Sequence, residues 1–244
     1  LTRLGAPWVL LGLTVLIAVG IFLTWTPLQS RVLQVRGNWL ITQQRYEEAA
    51  TVLTEARELW PENGTATVLA AKTAYLQGEF STTAELLSDL EETNPEGADA
   101  HLYHGLALIE LGETESALSH LRQSVELQPG NVESRNTLGA LAMQLGRLDE
   151  AQEQFAALVA LRPDSADFRC QLARVLFARN KNDQARAEVE KAIELDPDHQ
   201  TAQELLRQMN SQAVETFSAP QRRLSAITST PLSFNRTSGV NTRG

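Results

Sequence analysis

The chain has 244 residues, 43% of them hydrophobic and 21% charged, with a formal net charge of −9. That is enough apolar chain for a packed core, while the acid excess argues against a phosphate-backbone partner, so no nucleic acid is expected as a ligand. A single cysteine, Cys170, excludes an internal disulfide.

The first predicted element is the run WVLLGLTVLIAVGIFLTW (8–25), which carries no charge, has Trp at both ends and lies between Pro7 and Pro27. Eighteen residues rising ~1.5 Å each span about 27 Å, close to a hydrocarbon core of ~30 Å. Trp favours both interfaces. The run is therefore expected to be a transmembrane helix, which makes the chain single-pass and the membrane one of its partners. A signal peptide cleaved after AVG (18–20) is the alternative. Arg3 precedes the span and Arg31, Arg36 and Arg45 follow it, a balance that leans the remainder toward the cytoplasmic side.

Next comes a ladder of prolines. Pro61, Pro95, Pro129, Pro163 and Pro197 are spaced by 34 residues each. Proline cannot continue a helix, because it lacks the N–H and clashes with the preceding turn. A fixed period of this length is the mark of stacked repeats. With the proline at position 32, the units are 30–63, 64–97, 98–131, 132–165 and 166–199. Position 8 is small (Gly37, Ala71, Gly105, Gly139, Ala173), and so is position 20 (Ala49, Thr83, Ala117, Ala151, Ala185). Position 24 is large and apolar (Leu53, Leu87, Leu121, Phe155, Val189). Apolar spacing at i, i+3 and i+4 predicts one helix over about positions 1–14 and a second over about 16–30. Between them stand Gln44, Gly78, Gly112, Gly146 and Asn180, and Gly and Asn accept the left-handed conformation that ends a helix. Two such helices pack closely only where the facing side chains are small, and one hairpin cannot bury its apolar faces without neighbours.

Small residues at 8 and 20, a large apolar one at 24 and proline at 32 of a 34-residue unit resemble the tetratricopeptide repeat family. The fourth and fifth units carry the resemblance best, in RNTLGALAMQLGRLDEAQEQFAALVALRP and RCQLARVLFARNKNDQARAEVEKAIELDP. Thr83, Leu90 and Thr93 depart from the pattern in the second, and no unit has the family's common Trp at position 4. The expected fold is all-α: an α-solenoid of five helix-turn-helix repeats preceded by one transmembrane helix. Residues 200–213 have helical spacing with polar interruptions and are expected to cap the stack. The Ser, Thr and Arg-rich segment 214–244 lacks amphipathic period and reads as a disordered tail. RRLS (222–225) resembles a basic kinase site, and Asn63 and Asn235 open N-x-T sequons, but patterns this short arise by chance.

Charge is distributed unevenly. Residues 1–46 hold four Arg and no acid, whereas residues 47–129 hold 16 acids against three bases. Neither a Gly-rich phosphate loop, a nucleophile elbow nor Cys/His zinc spacing occurs. His101 and His104 lie one helical turn apart, with His120 their neighbour in sequence, and positions 4 and 7 of a repeat normally pack. No catalytic residue, cofactor or metal ligand is assigned.

The resemblance implies that the first helix of each repeat lines a concave surface through positions 2, 5, 9, 12 and 13. The implied peptide groove comprises Lys72, Tyr75, Asp99, Leu102, Leu106, Ile109, Glu133, Asn136, Met143, Arg174 and Phe177. Its apolar floor and mostly acidic rim suit an apolar or amphipathic peptide with basic flanks. The basic clamp by which chaperone-binding members hold a peptide carboxylate is missing: Gln34, Leu102, Tyr103, Asp167 and Gln171 stand at its positions. The chain is therefore expected to be a non-enzymatic, membrane-anchored scaffold for a protein partner. The alternative is the regulatory arm of an enzyme whose catalytic domain lies on a missing segment or a partner chain.

Overall fold

The computed structural model describes the backbone of residues 7–93 and 97–212. Regular structure among them is α-helical throughout: α1 (Pro7–Thr42), α2 (Tyr46–Leu59), α3 (Gly64–Gln77), α4 (Phe80–Thr93), α5 (Ala98–Glu110), α6 (Thr114–Leu127), α7 (Val132–Gln144), α8 (Leu148–Leu161), α9 (Ala166–Ala178) and α10 (Asn182–Leu195). Residues 200–212 form a further helix, α11. The chain divides into two compact units, Leu1–Leu161 and Arg162–Gly244.

Local chemistry sets the helix ends. α2, α6, α8 and α10 stop at Leu59, Leu127, Leu161 and Leu195, two residues before a proline in each case. Pro95 lies outside the described residues. Asn63, Asn131 and Ser165 accept the backbone N–H of Ala66, Ser134 and Phe168, which caps α3, α7 and α9. The turn inside each pair takes one residue in the left-handed region: Gln44 and Asn180 at φ 59°, Gly78 at 82°, Gly112 at 83° and Gly146 at 72°. Glycine pays no steric penalty there, whereas a glutamine does.

In the first unit, α1 packs on α2, α3 on α4, α5 on α6 and α7 on α8, and α2, α4 and α6 also pack on the first helix of the next pair. First helices touch one another as well, α1 with α3 and α3 with α5. Ala49, Ala117 and Ala151 are fully buried where the paired helices approach. The Cβ that Gly105 lacks would stand 2.8 Å from Leu121 Cγ and 3.2 Å from the Ala117 carbonyl oxygen. Thr83 occupies the same small position in its pair, and its hydroxyl donates to the carbonyls of Glu79 (2.9 Å) and Ala71 (3.3 Å). Ser30 donates to the Ala56 carbonyl at 2.7 Å and accepts from the Asn63 amide at 2.9 Å. Asn63, which opens a sequon, is thus buried and committed to capping. Among the described residues no buried side-chain polar atom lacks a partner.

In the second unit α9 packs on α10, and α11 buries Ala202, Leu205 and Met209. In both units a side chain at position 4 of a repeat, where no Trp stands, ties back to the preceding loop. Arg135, Arg169 and Gln203 each stand six residues after a proline and donate to its carbonyl, at 2.6 Å to Pro129, 2.8 Å to Pro163 and 2.6 Å to Pro197. Arg135 and Arg169 also bond Gln154 and Glu188 of the second helix in their own pair. The two arginines pin the start of a first helix to both the loop before it and its own partner, and Gln203 ties α11 to its loop alone.

The expectation of a transmembrane helix does not hold. No helix among the described residues is long and apolar enough to cross a membrane. Pro27 does not end an element; α1 runs through it from Pro7 to Thr42, fusing the apolar run to a segment with Gln29, Arg31, Gln34, Arg36 and Asn38. Side chains of residues 8–13 and 16–24 lie outside the described residues. The single-pass membrane localisation, the cytoplasmic lean built on it and the membrane as a partner fall with that helix. The repeated helix pairs are observed without it. Segment 214–244, including RRLS and Asn235, also lies outside the described residues.

Two substitutions measure the hairpin and its turn. Gly105→Ala is expected to cost about 1–3 kcal/mol by overpacking, read as a lower thermal midpoint of the full chain. Gln44→Gly is expected to gain about 0.5–1 kcal/mol, since a left-handed residue with a Cβ costs ~1–2 kcal/mol and glycine's extra chain entropy returns part of that. The urea midpoint should rise with its slope unchanged.

Candidate functional site

The exposed parts of the first helices hold most of the expected groove residues. Lys72 and Tyr75 on α3 are half-buried, as are Leu106 and Ile109 on α5 and Met143 on α7. Asp99, Glu133 and Asn136 are exposed. Leu102 is placed differently. It is 1% exposed and sits in a core cluster with Leu118, Leu121 and Leu138, so it holds α5 to α6 and α7 and offers nothing to a ligand. Leu106 packs against that cluster and against the one formed by Ala71, Leu87, Leu90 and Tyr103. In the second unit, Arg174 and Phe177 are half-buried, and Arg174 donates to Gln171 at 2.8 Å.

Two aromatic residues back the site, Tyr103 from the core at 8% exposure and Phe80 half-buried. Tyr103 and Phe80 meet Tyr75, with ring centroids at 6.0 Å and 5.6 Å and tilted planes. The Lys72 ammonium lies 5.4 Å from the Tyr103 ring centroid, a cation–π distance. Sequence spacing missed Tyr103 because position 6 points toward the preceding pair, and the neighbouring Leu102 looked the better ligand contact. The available signal was an aromatic side chain at position 6 of one repeat following a lysine at position 9 of the repeat before it.

Acid surrounds this platform. Burial is the main cause that raises the Tyr75 phenol above its ordinary 10.0, with the carboxylates of Glu110 and Glu133 and Tyr103 adding to it. Burial likewise raises Tyr103, against the opposing effect of Lys72. Beside Asp99 an open hollow of about 270 Å³ is lined by Thr65, Val68, Ala98 and Ala100 among others. The arrangement is a half-buried aromatic and aliphatic strip with one lysine and several carboxylates at its margins. It can hold a side chain and orient a cation, but it presents no nucleophile beside a base.

The other chemically interesting groups are engaged in structure. Burial raises the Cys170 thiol, which is 2% exposed. His101 and His104 are buried, His101 Nδ1 lies 3.3 Å from His120 Nδ1, and the His104 and His120 rings stack at 4.1 Å. No group of three or more His, Cys, Asp or Glu among the described residues is placed to hold a metal ion.

The tyrosines supply a pH test. A phenol raised in the folded state stays protonated after its unfolded counterpart has ionised, so folding loses stability as pH climbs past the ordinary 10.0. Tyr103→Phe is expected to flatten the fall in urea midpoint above about pH 10 relative to the parent chain. Equal falls would mean that Tyr103 is solvated.

Residues 40–107, 108–169 and 154–209 match the Tetratricopeptide repeat family. Among solved structures, YrrB, described as a tetratricopeptide repeat protein with an unusual peptide-binding site, is 26% identical, with 70% of this chain and 88% of that chain covered at a TM-score of 0.61. TTC0263 of Thermus thermophilus is 22% identical over 76% of this chain and 99% of its own, at 0.53. MamA from Desulfovibrio magneticus is 16% identical over 70% and 97%, at 0.61, a likeness of fold alone. No curated protein matches. The tetratricopeptide repeats of this chain form a non-catalytic scaffold. With the family match extending over most of the helix pairs, the chain belongs to the tetratricopeptide repeat family.

Proposed function

We propose that the chain is a protein–protein interaction scaffold that binds an extended or helical peptide, apolar in its centre and basic at its flanks, along the first helices α3, α5 and α7. The observation that carries this reading is the exposed acid on successive helices. Asp99, Glu110 and Glu133 stand around the partly buried strip of Tyr75, Leu106, Ile109 and Met143. Apolar anchors between charged margins are how a helix or strand is held in a groove with one orientation. YrrB is described as having a peptide-binding site, and its likeness supports the same use here. Asn136 offers both donor and acceptor to a peptide backbone. Arg174 and Phe177 occupy the matching positions on α9 of the second unit.

The burial pattern decides which substitutions can test it. Leu106 packs against two core clusters, so a charge there would unfold the protein before it reported on binding. The rim is free of that ambiguity. The probe is a fluorescent peptide with a Leu-rich centre and Lys flanks, read by anisotropy against the full chain. Asp99→Lys with Glu133→Lys is expected to weaken it at least tenfold, to slow association and to reduce the salt dependence, while Met143→Glu weakens it with folding retained. Equal binding by the parent and both variants would move the contact off these helices.

A further inference from the structure

One side of the first helices α3, α5 and α7 is covered by the preceding pair. In α3, α5 and α7 it includes Ala66, Ala100 and Ser134 at the third position of the repeat and Thr73, Ala107 and Leu141 at the tenth, none more than 3% exposed. The second helices α2, α4 and α6 pack there, and Ser124 of α6 bonds Ser134 at 2.7 Å. The matching residues of α1 are Val32 and Trp39, and these are 62% and 53% exposed. Trp25, Leu28 and Val35 are exposed to a similar degree. Residues 25, 28, 32, 35 and 39 advance by alternating steps of three and four, the spacing of a seam between two helices. Its neighbours α2 and α3 leave this stripe open.

The stripe is not how this chain finishes a helix against water. α11 buries Ala202, Leu205 and Met209 and turns Thr201, Glu204, Arg207 and Gln208 outward. A contiguous row of exposed large apolar side chains, two of them Trp, marks a contact surface. Its charge narrows the occupant. Arg31 and Arg36 flank the stripe, and residues 1–46 contain no acid. The helices that cover this side elsewhere are acidic: α2 carries Glu47, Glu48, Glu55 and Glu58. Pairing of α1 with α1 of a second copy would bring like charges together instead.

We propose that the exposed stripe Trp25–Leu28–Val32–Val35–Trp39 docks an amphipathic helix of a partner protein whose apolar seam is flanked by Asp and Glu, laid on α1 as α2 is laid on α3. This surface is separate from the groove, and it asks for the opposite charge in its ligand.

The probe is a synthetic helical peptide with Leu at the seam positions and Glu beside them, titrated by anisotropy into the full chain. Binding is expected to fall at least tenfold in Arg31→Glu with Arg36→Glu, to vanish in Val35→Glu with Trp39→Glu, and to be unchanged by Asp99→Lys with Glu133→Lys. Circular dichroism should be unaltered in the stripe variants, since these side chains are exposed. A photo-crosslinking residue at Val35 in cells is expected to trap an acidic helical segment of another protein. Failure of the Glu peptide to bind, or binding that survives Val35→Glu with Trp39→Glu, overturns the proposal. So does crosslinking to a second copy of the chain, with self-association lost in Trp39→Glu. Displacement of the peptide by vesicles of phosphatidylglycerol would assign the stripe to lipid and overturn it as well.

Discussion

The closeness of the two helices in each pair is the constraint on which the other features rest. Ala49, Ala117, Ala151 and Ala185 are wholly buried at the approach, and Gly37, Gly105 and Gly139 lie within contact of Leu53, Leu121 and Phe155 on the facing helix. A small residue on one side lets the large one reach across, so the pair locks by shape with little polar help. Once each pair is rigid, the angle of its first helix follows. That angle decides which side chains meet the preceding pair and which are left for a ligand.

Polar contacts then act as spacers between these rigid pairs. Arg135 and Arg169 span a loop carbonyl, their own helix and a second helix, and Gln203 repeats the loop contact at α11. Between pairs, Ser30, Asn63 and Ala56 share one buried network, while Arg122 and Glu150 join α6 to α8 by two bonds of 2.6 and 2.7 Å. The exposed members of this set contribute little energy individually. Their value is positional, because each has one geometry in which all of its bonds are made.

Much of this was legible in the sequence, because the signals were local. A proline two residues past a helix end, a glycine at a left-handed turn and an asparagine at an N-cap each act within a few residues of themselves. The errors came where burial depends on what lies across the fold. Leu102 and Met143 are both apolar at supposed groove positions, yet only the first is sealed, because α6 and α7 close over it. The stripe on α1 was overlooked for the same reason: apolar spacing is identical whether or not a neighbour covers it. Pro27 misled in another way. Proline removes one hydrogen bond from a helix without forbidding it, and a helix of 36 residues absorbs the loss.

The buried sulfur of Cys170 has a practical consequence. The chain carries one thiol, 2% exposed and raised in pKa chiefly by burial. Reagents that need a thiolate reach it only when that part of the second unit opens. The unaltered protein therefore contains a clock for local opening, and any cysteine introduced on an exposed helix face would react on a far faster timescale, as a label of its own.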